Sequence, residues 1–322
     1  MTIVVSRDMI ATARRWRHSM VAGWMLTITV LCWAISFPIA KQALNEWKDF
    51  KFFFLAGRFW LAFLLFAPFA FYRYGLATMI RHIKPGLLIG ASLVLTYAFQ
   101  YEALRSPGTS GEVAFISAFS SVLVPLVMWI VYRSDVRLTT LAGLVTATVG
   151  VILMTVRDGL LSLSPAAVLS VVGAFGIALN TILVASFRKM ESSPGTPRYD
   201  TVPLLVTQFM TVALGTSLAA LAFEQPQHGF PTWSGSAMFG MIFMSVVATG
   251  LAFYLQTRFQ RDISADRAAL IFTIEPAAAA LFSYVLLGEI FTARMAVGAA
   301  LILAGVGAAE YYAARRKLRR AG

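Results

Sequence analysis

One carboxylic acid lies well inside a hydrophobic stretch of this 322-residue chain, in the segment Ile274-Glu275-Pro276. If that stretch crosses a membrane, an ionised carboxylate there costs several kcal/mol, about 2.5–3.5 on insertion scales, unless it is paired or hydrated. Glu275 would then face a watery cavity or bind a proton, and both situations suit proton coupling or cation binding. A structural alternative is that Glu275 caps a backbone carbonyl that Pro276 releases.

Arg58 is the only other charge well inside a hydrophobic run. A guanidinium in such a place can attract an anionic group of a substrate, for example a carboxylate. It can equally pair with an acidic side chain or snorkel toward the nearest water surface. The sequence leaves these alternatives open, and the acids considered as partners are Glu275, Glu102 and Glu112.

Polar and aromatic residues recur at helical spacing in several of the apolar runs. Tyr97, Gln100 and Tyr101 follow the i, i+3, i+4 pattern of one helix face, and Ser117 and Ser120 are also three residues apart. Packing between helices or an aromatic belt at the membrane surface explains any one of them equally well. Together they predict a cavity for an amphipathic solute, with three further candidates in other runs: Asn180, Tyr254 and Trp33.

The composition requires lipid as the solvent for much of this chain. Hydrophobic residues make up 58% and charged residues only 13%, whereas soluble domains carry about 25% charged residues. The net charge of +12 comes from basic residues between the hydrophobic runs, so we predict no nucleic-acid partner. The single cysteine, Cys32, excludes an internal disulfide, and the three histidines have no metal-ligand spacing, so neither metal nor cofactor is expected.

The hydrophobic runs predict ten spans, each close to the length that crosses a core of about 30 Å. They cover approximately residues 19–40, 52–72, 85–101, 113–132, 138–156, 159–187, 201–223, 229–257, 268–288 and 292–314. No A-x-A cleavage site follows the first run, which we therefore interpret as an uncleaved helix. Most of the 27 Lys and Arg residues fall on the side that contains both ends, which places both termini in the cytoplasm.

An internal repeat is visible in the second part of each half of the chain. At one constant offset of about half the chain, Ala114 recurs as Ala269, Gly143 as Gly298, and Gly150 as Gly305. Five spans per copy is an odd number, so the second copy must insert upside down relative to the first. The predicted fold is an all-α membrane protein whose ten transmembrane helices form two inverted five-helix repeats.

The repeat divides the chain into four parts. We predict a basic N-terminal arm over 1–21, a first repeat over 22–157, a second repeat over 158–314 and a basic tail over 315–322. The glycines of the fifth and tenth spans indicate close helix packing, either within one chain or between two copies. The sequence is therefore compatible with a monomer or a homodimer in the lipid bilayer.

Several short motifs in the predicted order resemble one family of carriers. In the second copy they are Ile274-Glu275-Pro276, Tyr284-Val285-Leu286-Leu287-Gly288-Glu289, and Gly298 with Gly305; in the first they are Trp33, Arg58-Phe59, Ala114-Phe115-Ile116-Ser117-Ala118 and Val122-Leu123-Val124-Pro125. Over residues 22–314 the chain resembles an EamA-type carrier of the drug/metabolite transporter superfamily. It departs from the pattern in the fourth span, where Ser120-Ser121 occupies the place of Glu275-Pro276.

The resemblance implies two inverted repeats around a central cavity and a secondary active transporter in the inner membrane. We expect it to export or exchange a small metabolite by alternating access, an amino acid or a related amphipathic solute, with proton coupling as a hypothesis that rests on Glu275. The alternative is efflux of drugs or organic cations. An intramembrane enzyme or a scramblase is the rival from another class, but no P-loop or set of catalytic side chains is visible, so no catalytic residue is predicted.

Overall fold

The computed structural model describes residues 7–132, 138–155, 164–191, 199–232, 234–260, 271–272 and 274–321. Those residues form helices and short connections with no strand among them, which confirms the predicted all-α class. The helices are α1 (Arg7–Glu46), α2 (Lys51–Arg105), α3 (Ser110–Ala118), α4 (Ser120–Tyr132), α5 (Leu138–Thr155), α6 (Pro165–Glu191), α7 (Thr201–Ala219), α8 (Gln225–His228), α9 (Gly235–Phe243), α10 (Ala252–Phe259), α11 (Ile274–Leu287) and α12 (Ala293–Ala321). Two π-helical segments, Ala220–Glu224 and Met244–Leu251, join α7 to α8 and α9 to α10.

Within this described part, five helical segments are long and apolar enough to cross a membrane: Met20–Glu46, Lys51–Arg105, Pro165–Val184, Thr201–His228 and Gly235–Phe259. Two shorter apolar helices follow, Ile274–Leu287 and Ala293–Gly305. Large apolar side chains also point outward, since Leu64, Leu65 and Phe69 are each more than half exposed. An apolar outer surface of this kind is stable in lipid and not in water.

The long helix α2 is a hairpin of two helical arms. A straight helix of 55 residues would be about 82 Å long, far more than the ~30 Å of a membrane core. Gly75 interrupts it with φ 73° and ψ 164°, a conformation that residues with a Cβ rarely adopt. The two arms then run back alongside each other, because Lys51 at the start of α2 forms an ion pair with Glu102 near its end.

A second interruption separates α3 from α4 at Phe119. Its backbone N–H donates to the Ile116 carbonyl at 3.0 Å, a tighter turn than the regular helical bond. The two predicted cavity serines, Ser117 and Ser120, lie on either side of this tighter turn, and both are buried. The boundary predicted between the repeats, at residues 157 and 158, lies outside the described residues.

Small residues bring α5 and α12 into direct backbone contact. A Cβ on Gly150 would lie 2.6 Å from the Gly298 carbonyl oxygen, and a Cβ on Gly305 would lie 2.6 Å from the Gly143 carbonyl oxygen. The glycine face that the sequence left unassigned is thus used within one chain. Elsewhere α2 packs on α6 and α7, and α1 packs on α11.

Candidate functional site

Arg58 is buried at the centre of the described structure, with 2% of its surface exposed. Its Nε donates to the Thr249 Oγ1 at 2.7 Å, and an Nη donates to the Tyr101 hydroxyl at 2.6 Å. The guanidinium carbon lies 4.8 Å from the centre of the Tyr97 ring and 5.1 Å from that of Phe59. The cation is therefore held by neutral hydroxyls and by aromatic faces, which attract positive charge.

This environment decides between the alternatives that the sequence left open for Arg58. The side chain does not reach the surface, so it does not snorkel. In the described part of the chain it forms no ion pair, because Glu102 pairs with Lys51 and Arg105 instead. Hydrogen bonds from a charged donor are each worth about 1.5–3 kcal/mol. They offset part of the several kcal/mol that removing a charge from water costs.

One of the two acceptors for Arg58, Thr249, lies on the π-helical segment Met244–Leu251. A π-helical turn is wider than an α-helical one and occurs frequently at functional sites. In this segment the Thr249 hydroxyl accepts from Arg58, and the Ala248 carbonyl accepts from the Trp33 indole Nε1 at 3.1 Å. Thr249 is not among the residues predicted from the sequence. The available signal was the pair Ser245 and Thr249, four residues apart in an otherwise apolar stretch.

Trp33 connects this cluster to the start of α11. Its ring lies 5.7 Å from that of Phe253 and 6.1 Å from that of Phe272, measured between centroids. Phe272 precedes Glu275 by three residues, about one helical turn. Glu275 stands in the first turn of α11 and is only half-buried. The aromatic rings and the carboxylate thus belong to the same region between α1 and α11.

Glu275 has no hydrogen bond or ion pair with any other described residue. Tyr97 lies beside the buried cation, since the Arg58 guanidinium stands over its ring. We call Trp33, Arg58, Tyr97, Tyr101 and Glu275 the central cluster. The structure brings these five of the ten predicted site residues together with Thr249.

The other five predicted residues make different contacts. Gln100 donates to the Ser117 hydroxyl at 3.2 Å and so joins α2 to α3 next to Tyr101. Ser120 is buried just beyond the break at Phe119. Asn180 on α6 donates to Ser92 Oγ at 3.1 Å and to the Ile89 carbonyl at 3.3 Å, both on α2. Tyr254 stacks on Phe66 at 6.4 Å.

The central cluster has the chemistry of a binding site. It offers a half-buried carboxylate, a buried guanidinium and several aromatic faces, which recognise charged and amphipathic groups. No group of three or more His, Cys, Asp or Glu residues in the described ranges is arranged to hold a metal ion.

Comparisons with known proteins agree on a membrane carrier. The sequence pattern of the EamA-like transporter family matches this chain twice, over residues 20–156 and 164–309. Two proteins of Archaeoglobus fulgidus, each described as an uncharacterized transporter, are 26% identical to it. One alignment spans 87% of this chain and 83% of the relative, and the other spans 88% and 94%.

A solved crystal structure of another protein shares the fold, with a TM-score of 0.62 at 18% identity. The similarity covers 90% of this chain and 97% of that one. The two family matches, here named the first repeat (residues 20–156) and the second repeat (residues 164–309), together span most of the sequence. They confirm the resemblance drawn from the motifs. The chain belongs to the EamA-like transporter family.

Proposed function

We propose that this transporter is a secondary active carrier that exports or exchanges a small amphipathic metabolite, such as an amino acid, by alternating access. Its ten spans form two inverted five-helix repeats, with the central cluster between them. The carrier lies in the inner membrane with both termini in the cytoplasm, in the orientation that the excess of Lys and Arg in the loops on that side favours.

The reciprocal contacts between α5 and α12 support the inversion. Gly150 approaches Gly298, and Gly305 approaches Gly143, so the residue that comes later in one helix meets the one that comes earlier in the other. The two helices are therefore antiparallel, although they occupy equivalent places in the two repeats. A two-fold axis in the membrane plane relates repeats of this kind.

The pairing of the remaining helices supports the same symmetry. Helix α11 of the second repeat packs on α1 of the first repeat. In the same way α3 and α4 of the first repeat pack on α6 of the second repeat, which is the counterpart of α1. Likewise α10 packs on α1, and α2 packs on α6. Exchanging the two repeats leaves this set of contacts unchanged. Rocking of two such units about a fixed site is the usual basis of alternating access.

The proposed transport mechanism rests on the burial of Glu275 and on its lack of an ionic partner among the described residues. In hydrocarbon a carboxylate needs a partner, a proton or water. Glu275 has no hydrogen-bonding or ionic partner among the described residues, and it is only half-buried. A carboxylate in that state can exchange protons with a cavity, and binding of a proton there would alter its attraction for substrate. We infer that Glu275 couples proton movement to transport.

Purified protein in liposomes tests this assignment. The substrate is first identified as the metabolite that cells overproducing the carrier excrete. Wild type should accumulate it against its gradient when a pH difference is imposed, and Glu275→Gln should lose this accumulation while still exchanging substrate across the membrane. Glu46→Gln, at an exposed site on α1, is the matched control and should behave like wild type. Full accumulation by Glu275→Gln would disprove the coupling role.

Efflux of organic cations is a second candidate function, which one observation favours. The rings of Trp33 and Phe272 lie 6.1 Å apart, and Phe272 precedes Glu275 by three residues. Aromatic faces and a carboxylate both attract cations. Overproducing cells discriminate between the two functions. Increased resistance to quaternary ammonium compounds without excretion of amino acids would favour the cation carrier, and the reverse result would favour the metabolite carrier.

A further inference from the structure

An ion pair joins the two repeats at one end of the molecule, away from the central cluster. Lys41 Nζ lies 2.7 Å from Glu289 Oε1, and these side chains are 16% and 10% exposed. Lys41 stands near the end of α1 in the first repeat, and Glu289 follows α11 in the second repeat. The pair thus links parts of the chain that are 248 residues apart.

The Glu289 carboxylate accepts hydrogen bonds from three donors of the first repeat. Besides Lys41, it accepts from the backbone N–H of Ser110 at 2.8 Å and from the Ser110 hydroxyl at 2.9 Å. Lys41 also donates to the carbonyl of Gly108. The Ser110 hydroxyl is also 2.7 Å from that of Ser283 on α11. These contacts tie the end of α1, the start of α3 and the end of α11 together.

A turn of the backbone after α11 places Glu289 next to Lys41 and Ser110. Gly288 ends the helix with φ 65°, a conformation that glycine adopts without strain. The N–H of Gly288 bonds to the Tyr284 carbonyl at 3.0 Å, and that of Glu289 bonds to the Ser283 carbonyl at 3.3 Å. The chain therefore turns sharply, and the carboxylate points back toward the first repeat.

Partial exposure makes this contact suitable for repeated opening. A fully buried pair loses its attraction without regaining water when it separates, which makes its rupture costly. Lys41 and Glu289 are close enough to water to be hydrated as soon as they part. Strong charge-assisted bonds when closed, and hydration when open, are the two states that a reversible gate requires.

We propose that Lys41 and Glu289 form the gate pair that closes this end of the carrier, with Ser110 positioning the carboxylate. By the charge distribution of the loops this is the outer end. The inference rests on the proposed alternating access, because one repeat can move against the other at this end only after the pair has separated. The state described by the structure is closed at the gate.

A reporter cysteine behind the gate tests the proposal without any substrate. Cys32 is replaced by Ser, and Ala278→Cys, one turn beyond Glu275 on α11, supplies the reporter. A membrane-impermeant maleimide is applied to sealed vesicles of both orientations. A separate variant with Lys48→Cys, at an exposed site close to the gated end, identifies the vesicles in which this end faces the reagent.

From the gated side, Lys41→Met or Glu289→Gln should accelerate labelling of the reporter by at least about tenfold, equivalent to about 1.4 kcal/mol in the opening equilibrium. Lys51→Met is the matched control, since it removes an ion pair at the same end but within one repeat, and it should leave the rate unchanged. Lys41→Arg, which keeps the cation and its donors to Glu289 and to the Gly108 carbonyl, should retain slow labelling.

Equal acceleration by Lys41→Met and Lys51→Met, or fast labelling in Lys41→Arg, would overturn the gate. Such results would show only a general loosening of this end of the fold. Because labelling requires neither substrate nor proton gradient, this outcome is independent of the transport measurements on Glu275→Gln. Failure of the gate and failure of proton coupling are therefore separately visible.

Discussion

The contact between α5 and α12 provides the sharpest test of the packing. Gly305→Ala would add a Cβ that meets the Gly143 carbonyl oxygen at 2.6 Å and the Ala147 backbone nitrogen at 2.8 Å. Both obstacles are backbone atoms, so no side-chain rotation can relieve the overlap. The two helices must separate by several tenths of an ångström, and the contacts on either side weaken with them.

The expected loss of stability follows from two opposing effects. Inserting a methyl group into a packed interface costs about 1–3 kcal/mol, and contact with backbone favours the upper part of that range. Alanine recovers up to about 1 kcal/mol through its higher helix propensity. The net destabilisation is about 2 kcal/mol. For 322 residues with the unfolding entropy of soluble domains, about 2.1 cal/mol/K per residue, this lowers the melting temperature by about 3 °C.

Thermal unfolding in detergent measures this difference. Gly307→Ala is the matched control on the same helix, because a Cβ there meets no atom within 4 Å, and it should be neutral or slightly stabilising. The double variant Gly150→Ala with Gly305→Ala should lose less than the sum of the single variants, since helices that have already separated accommodate the second methyl group. Equal melting temperatures for Gly305→Ala and Gly307→Ala would refute the close contact.

Two further changes test the hydrogen bonds between helices. Thr249→Val removes the acceptor for Arg58 and should cost about 1–3 kcal/mol of stability; a melting temperature no lower than that of Thr249→Ser, which keeps the hydroxyl, would contradict this. Asn180→Leu removes the bond to Ser92 and should cost about 0.6–1.7 kcal/mol. Thr181→Val, at an exposed site on the same helix, should melt like wild type, and an equal loss in both variants would rule out the contact.

Hydropathy and motifs were sufficient for the class of protein and for most of the central cluster. Glu275 and Arg58 were identifiable because a charge inside an apolar run is rare, and Trp33 because it stands within a family motif. Thr249 was not identified, since a threonine in an apolar helix usually bonds to its own backbone. Its role depends on the π-helical segment, which hydropathy does not predict.

The two interruptions of helices were predictable to different degrees. The hairpin of α2 is predictable, because a 55-residue helix is too long for a bilayer and Gly75 lies between its two apolar arms. The tighter turn at Phe119 has no glycine at its centre, and hydropathy predicts one continuous span there. The spacing of Ser117 and Ser120 remains compatible with one face, because residues three apart stay on the same side of such a turn, and both serines are buried.

The gate pair, Lys41 and Glu289, is the contact that the sequence predicts least. Lys41 was identifiable only as a loop cation and Glu289 only as part of a family motif, and nothing in their separate surroundings predicts a bond of 2.7 Å between them. An ion pair between residues far apart in the chain exists only if their side chains are close in space. That distance depends on how every intervening helix packs.

The sequence alone therefore determined that the chain is a membrane carrier of helices arranged in two repeats, because hydrophobicity, glycine spacing and loop charge are properties of single residues or short windows. The tertiary structure decided the polar partners. It placed Arg58 among hydroxyls and rings instead of beside a carboxylate, and it left Glu275 half-buried without an ionic partner among the described residues. In a low-dielectric interior each polar group must find its partner among the few that packing brings within reach, and only the three-dimensional arrangement specifies which these are.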